Sequence, residues 1–95
     1  MDFKEAVNSK PVVLVEFFAT WCPHCKRMMP VVEEVKELLE GSVDIYQLDI
    51  DLNEALAEKE GVNVVPTFII YKNGEEKWRD SGEIPGRTLL AKLQS

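Results

Sequence analysis

The run Pro11-Val12-Val13-Leu14-Val15-Glu16-Phe17-Phe18 constrains the fold of this chain more than any other segment. Its β-branched and aromatic side chains follow one another with only Glu16 as a polar interruption. A strand of that kind is buried on both faces, as in parallel sheets. Helices must then cover the sheet above and below, which defines an α/β architecture. The rest of the pattern supplies them. Residues 2–9 read as a short helix, with Phe3, Ala6 and Val7 at helical spacing. After Trp21-Cys22-Pro23 a long helical pattern runs to about residue 40. Cys25, Met28, Met29, Val32, Val35 and Leu39 form its inner face, and Lys26, Arg27, Glu33, Glu37 and Glu40 its outer one. Pro30 should kink this helix and Gly41 should end it.

Residues 43–48 form a second strand, reached by a right-handed crossover and so parallel to the first. Asn53 is placed to cap a short helix through residue 60, with Gly61 as its stop. Residues 66–71 make a third strand, whose first residue, Pro66, removes no interior ladder donor. Asn73-Gly74 is the strongest hairpin signal in the chain and leads into an antiparallel fourth strand at 75–80. A last helix starts near Pro85 and runs through Leu89, Leu90 and Leu93. The order α-β-α-β-α-β-β-α predicts a mixed four-stranded sheet with helices on both faces. At 95 residues, 45% of them apolar, the chain has material for one core, so a single domain over residues 1–95 is expected.

Charge narrows the function. Eleven Lys and Arg against 17 Asp and Glu leave a net charge of −6, which argues against nucleic acid and favours a soluble monomer. Apolar runs such as Val12-Val13-Leu14-Val15 are too short for a bilayer, so no membrane role is expected. The opening Met1-Asp2-Phe3-Lys4-Glu5 has neither the basic start nor the apolar stretch of a leader, and a cytoplasmic location is expected. A cleaved leader would leave no trace, so an exported mature form stays open.

The two cysteines carry the chemistry. Cys22 closes the strand-to-helix turn, Pro23 takes the first helical position, and Cys25 follows one turn on. Positions i and i+3 lie about 5–6 Å apart, within disulfide reach. A bond closing so small a loop restrains the unfolded chain little, so a purely structural staple is a poor reading. Backbone N–H groups of His24 and Cys25 and the positive helix end would stabilise a Cys22 thiolate, as such positions do.

Trp21-Cys22-Pro23-His24-Cys25-Lys26 after a buried strand, Pro30 within the helix, Val65-Pro66-Thr67 and Lys72-Asn73-Gly74-Glu75 together resemble the thioredoxin family over nearly the whole chain. The resemblance implies a thioredoxin-like fold and a thiol–disulfide oxidoreductase acting on protein disulfides. Cys22 would be the exposed attacking thiolate and Cys25 the buried resolving thiol. Pro66 would be a cis-proline facing them, Val65 would offer backbone hydrogen bonds to substrate, and Trp21 and Gly82 would flank the groove. No metal or organic cofactor is implied beyond the redox-active Cys22–Cys25 disulfide, and a separate flavin-dependent thioredoxin reductase would recycle it.

Three departures from the family pattern matter. Pro23-His24 replaces the Gly-Pro usual in thioredoxins and matches the periplasmic disulfide donors. His24 would add a cation or dipole beside Cys22 and make the protein less reducing, or it is merely solvated. Glu16 stands where thioredoxins usually carry a buried aspartate. It would relay a proton to or from Cys25, or else lie near the strand end and reach water. Finally, the chain before Pro11 leaves no room for the N-terminal edge strand many thioredoxins have, so strand 43–48 becomes an edge guarded by Asp44.

Other readings stay in view. Cys22, His24 and Cys25 are three possible ligands, whereas structural zinc wants four, and no further Cys or His exists in the chain. A glutathione-coupled, glutaredoxin-like enzyme is the redox alternative. A non-catalytic binding module, using Trp21, Pro23, Val64, Val65 and Ile84 as an apolar patch, is the alternative from another class. Trp78 reads as packing, and Lys26-Arg27 as a solvated helix face that could weakly raise the local potential.

Overall fold

A computed structural model describes residues 2–95. Its elements are α1 (Phe3–Val7), β1 (Val12–Phe18), α2 (Pro23–Leu38), β2 (Asp44–Asp49), α3 (Glu54–Lys59), β3 (Thr67–Lys72), β4 (Glu75–Ser81) and α4 (Gly86–Gln94). The strands form one mixed sheet in the order β2-β1-β3-β4. β1 runs parallel to β2 and antiparallel to β3, and β3 runs antiparallel to β4. The expected architecture is present: β1 and β3 fill the middle, and helices cover both faces.

Alternation along β1 divides the core. Leu14 joins Phe68 and Ile70 under Met28, Val32 and Val35 of α2 and Leu89 and Leu93 of α4. Val13, Val15 and Phe17 point the other way, onto Val7 of α1 and Ala57 of α3 with Ile69 and Tyr71. The period-two geometry of a strand makes β1 serve both clusters at once, which is why its sequence is continuously apolar. Trp78 packs against the α2/α4 cluster, in keeping with its reading as a packing residue.

Several local expectations change. The α1 helix is shorter than residues 2–9, because Asp2 caps it: its carboxylate accepts from the Glu5 N–H and Glu5 accepts from the Asp2 N–H. Met28 and Met29 cannot share an inner face, since adjacent helical residues diverge by about 100°. Met28 is buried and Met29 is 64% exposed. The α2 helix continues through Pro30 and ends at Leu38, with Gly41 turning the chain at φ +85 just beyond. Asn53 sits at the N-cap of α3 but makes no cap hydrogen bond; its Nδ2 donates instead to the Asp49 carbonyl at 2.9 Å. The hairpin turns at Asn73 (φ 53) and Gly74 (φ 83), the paired positive angles of a two-residue turn. At the β2 edge, Ser9 donates to Asp44 at 2.7 Å and the Tyr46 hydroxyl donates to Ser9 at 2.8 Å, tying the α1–β1 link to the strand.

Candidate active site

The end of β1 sets the site. Beyond Phe18 the chain turns, and the Cys22 N–H donates back to Ala19 O at 3.2 Å. Cys22 is then the N-cap of α2 (φ −91, ψ 117), with Pro23 in the first turn where it lacks no needed donor. The Cys25 N–H donates to Cys22 Sγ at 3.4 Å, and the Cys22 thiol reaches Val65 O at 3.6 Å. Both cysteines are unbonded. They pack with Ala19 against Phe18, Ile50 and Val65. Exposure does not distinguish them: each keeps 3% of its surface. The expected exposed Cys22 is therefore covered, because the segment carrying Val65 lies over it.

The facing wall comes from the second half of the chain. The Val65–Pro66 peptide is cis, and Pro66 is fully buried. Thr67 gives its only hydroxyl hydrogen to Val64 O at 2.7 Å, so Ser81 Oγ, 2.8 Å away, donates to Thr67. The Gly82 N–H donates to Pro66 O at 2.9 Å. Gly82 holds φ +93, a left-handed angle that favours glycine at this junction. On the near side Trp21 is 62% exposed, with its indole N–H donating to Asp51 Oδ2 at 2.9 Å. Val65 packs against the cysteines, and Trp21 directly precedes Cys22. Ile84 does not pack there; it is buried in the α2/α4 core cluster, inward of the groove.

The two thiols are driven apart electrostatically. Burial alone would raise Cys22, but hydrogen bonds from the Cys25 thiol and from the backbone N–H groups of Cys25 and His24, with the Arg27 charge, hold it below the ordinary thiol range. Cys25 is pushed up to about 12, first by burial and then by its hydrogen bond to Cys22 and the nearby Cys22 and Glu16 charges. Glu16 lies mid-strand with 2% of its surface exposed, not near water at a strand end. Burial raises its pKa, offset in part by Gln47 Nε2, which donates to Glu16 Oε1 at 3.0 Å from the paired position on β2. Glu16, Gln47 and Cys25, with Lys26 and Met29 at the mouth, line a cavity of about 240 Å³.

The His24 side chain turns away from this cluster. Its Nδ1 lies 2.7 Å from Glu83 Oε2 and 3.0 Å from an Arg27 terminal nitrogen, while Arg27 Nε donates to the same Glu83 oxygen at 2.8 Å. His24 therefore acts on Cys22 through its backbone N–H, and the cation acting there is Arg27. Sequence reasoning read Arg27 as solvated surface and missed Glu83, Gln47, Asp51, Thr67 and Ser81. Helical spacing places Arg27 one turn beyond His24, a signal available in advance; Glu83, 59 positions away from His24, left none. Among the described residues no group of three or more His, Cys, Asp or Glu is placed to hold a metal ion, and no helix is long and apolar enough to cross a membrane.

This fold, with a dithiol at a helix start facing a cis-proline, has clear relatives. The thioredoxin family model matches residues 1–95. A chloroplastic thioredoxin Y of Oryza sativa subsp. japonica is 36% identical over 93% of this chain and 52% of its own length. A thioredoxin of Synechocystis sp. is 38% identical over 98% of this chain and 88% of its own. The solution structure of oxidised thioredoxin from Plasmodium falciparum superposes with a TM-score of 0.83 at 33% identity, covering 98% of this chain and 90% of that one. The chain belongs to the thioredoxin family. It spans about half the length of the chloroplastic relatives it matches.

Proposed function

We propose that this protein is a thiol–disulfide oxidoreductase for protein disulfides, acting as one domain over residues 1–95. The observation that carries the reading is Cys22 at the N-cap of α2, its Sγ taking the Cys25 N–H at 3.4 Å, which holds Cys22 low while burial pushes Cys25 up to about 12. A low thiol supplies the attacking thiolate; a high one stays protonated until it is needed. Cys22 thiolate attacks a substrate disulfide, forming one mixed S–S bond and releasing one substrate thiolate. Cys25 then loses its proton and attacks Cys22, closing the Cys22–Cys25 disulfide and releasing the second substrate thiolate. Two electrons pass to the substrate, and its two thiolates take up protons.

In this reading Val65 presents backbone hydrogen bonds to an extended substrate, Pro66 and Gly82 shape the groove, and Trp21 flanks it. Glu16 is the proton carrier for Cys25: the two share one cavity, and burial favours the neutral form of each. Pro23 starts the helix without a superfluous donor, and His24 contributes its N–H. That N–H, the Cys25 N–H and the Arg27 charge favour the reduced form, so the protein is less reducing than an ordinary thioredoxin. It works as a cytoplasmic monomer with protein disulfides as substrates, recycled by a flavin-dependent thioredoxin reductase.

Equilibration of the dithiol in glutathione redox buffers, quenched by acid, tests the reading. Thioredoxins sit near about −270 mV and the strong periplasmic oxidant near about −120 mV. A potential above about −220 mV is expected; a value near the thioredoxin one removes the less-reducing assignment. Cys22→Ser should abolish insulin-disulfide reduction, and Cys25→Ser should accumulate mixed disulfide with substrate. Full activity in Cys22→Ser would overturn the oxidoreductase reading.

A further inference from the structure

Glu83 stands beside Gly82 at the groove wall, and its carboxylate is shared by two side chains from the first turns of α2. One oxygen, Oε2, takes Arg27 Nε at 2.8 Å and faces His24 Nδ1 at 2.7 Å. The His24 nitrogen cannot serve both neighbours: carrying a hydrogen it donates to Glu83, and bare it accepts from Arg27. In either state Arg27 keeps its bond to Glu83. The Arg27 charge also lowers Cys22. So a carboxylate from the β4–α4 connection fixes the position of that cation and opposes its charge.

We propose that Glu83 is a positioning residue for Cys22: it docks Arg27 and His24 at the start of α2 and offsets the Arg27 charge, which sets how oxidising the dithiol is. The inference rests on the oxidoreductase reading above and adds a residue to it. Two effects of Glu83 are separable. An amide in its place can still accept from Arg27 Nε, so docking survives while the counter-charge goes. Removing Arg27 instead leaves the carboxylate and deletes the cation. The two changes must therefore move Cys22 in opposite directions. Cys25, Lys26, Glu16 and Asp51 are the other ionisable groups around this turn, and all are retained in both variants.

The experiment compares wild type, Glu83→Gln, Arg27→Gln and the double variant, each checked for cooperative unfolding. Thiolate absorbance near 240 nm is followed against pH, and the fraction oxidised is measured in glutathione buffers. Glu83→Gln should move the Cys22 titration to lower pH and shift the glutathione equilibrium toward the reduced form by about two- to fivefold, the scale of exposed charge pairs. Arg27→Gln should shift both readouts the other way. In the double variant Glu83→Gln should still move Cys22 to lower pH, because the field of the carboxylate adds to that of Arg27 and does not depend on it. A Glu83→Gln variant that folds and matches wild type in both readouts overturns the proposal, as does Glu83→Gln shifting both readouts in the same direction as Arg27→Gln. Failure of wild type itself to form the Cys22–Cys25 disulfide would overturn the oxidoreductase reading instead.

Discussion

Glu16 brings a carboxyl into the middle of β1 with a single hydrogen-bond donor, Gln47, to meet it. Burial lifts its folded pKa above the unfolded value, so the native state binds the extra proton. The stability that proton supplies is fully present below the unfolded pKa and is lost as pH rises through the folded one. Glu16→Gln should therefore raise the unfolding free energy at pH 7 by on the order of 1–3 kcal/mol, as for a poorly paired buried polar group, and have little effect near pH 4. Thermal melts at both pH values check this. On the proposed relay, the same variant should slow the decay of the mixed disulfide while leaving its formation unchanged, because burial keeps the Cys25 thiol protonated. Glu16 was legible as an anomaly because a lone acid in an apolar strand is conspicuous. Its partner Gln47 was not, since only the β1–β2 register brings them together.

Among the elements, the hairpin between β3 and β4 shows how closely a turn can be fitted. A Cβ on Gly74 would stand 2.4 Å from Asn8 Oδ1, and that amide is already held by its Nδ2 bond to Lys4 O at 2.9 Å. Gly61 has a similar positive φ of +70 but open space around it. Gly61→Ala should cost about 1–2 kcal/mol for the left-handed angle alone. Gly74→Ala should cost more, and Asn8→Ala should recover part of the difference; chemical denaturation of the three variants checks it. The turn, the strands and every helix were readable from periodicity and punctuation, within a few residues at their ends. The errors have one source. Met29, the ends of α2 and the idle Asn53 cap all depend on which side of an element meets a neighbour, and periodicity alone does not rank adjacent positions. The wall made by Thr67, Ser81, Gly82 and Glu83 was legible only as Pro66 and Gly82, because its bonds join β3, β4 and the connection to α4.

At the scale of the whole molecule, one strand pair separates two apolar clusters, with α2 and α4 over one and α1 and α3 over the other. Leu89→Ala should destabilise by about 2–5 kcal/mol, and Val7→Ala on the opposite face by about 1.5–3 kcal/mol. These sites share no partner, so the double variant should be additive within about 0.5 kcal/mol in urea unfolding. The division also bears on how the site comes into being. Both cysteines lie in the first third of the chain, while the residues that roof, wall and counter-charge them lie beyond position 64. A polypeptide still leaving the ribosome carries its dithiol for most of its synthesis without Val65, Gly82 or Glu83 to act on it. The groups that lower Cys22, the His24 and Cys25 N–H groups and the Arg27 charge, are already made by then, and what the rest of the chain adds is the Val65 cover and the opposing charge of Glu83.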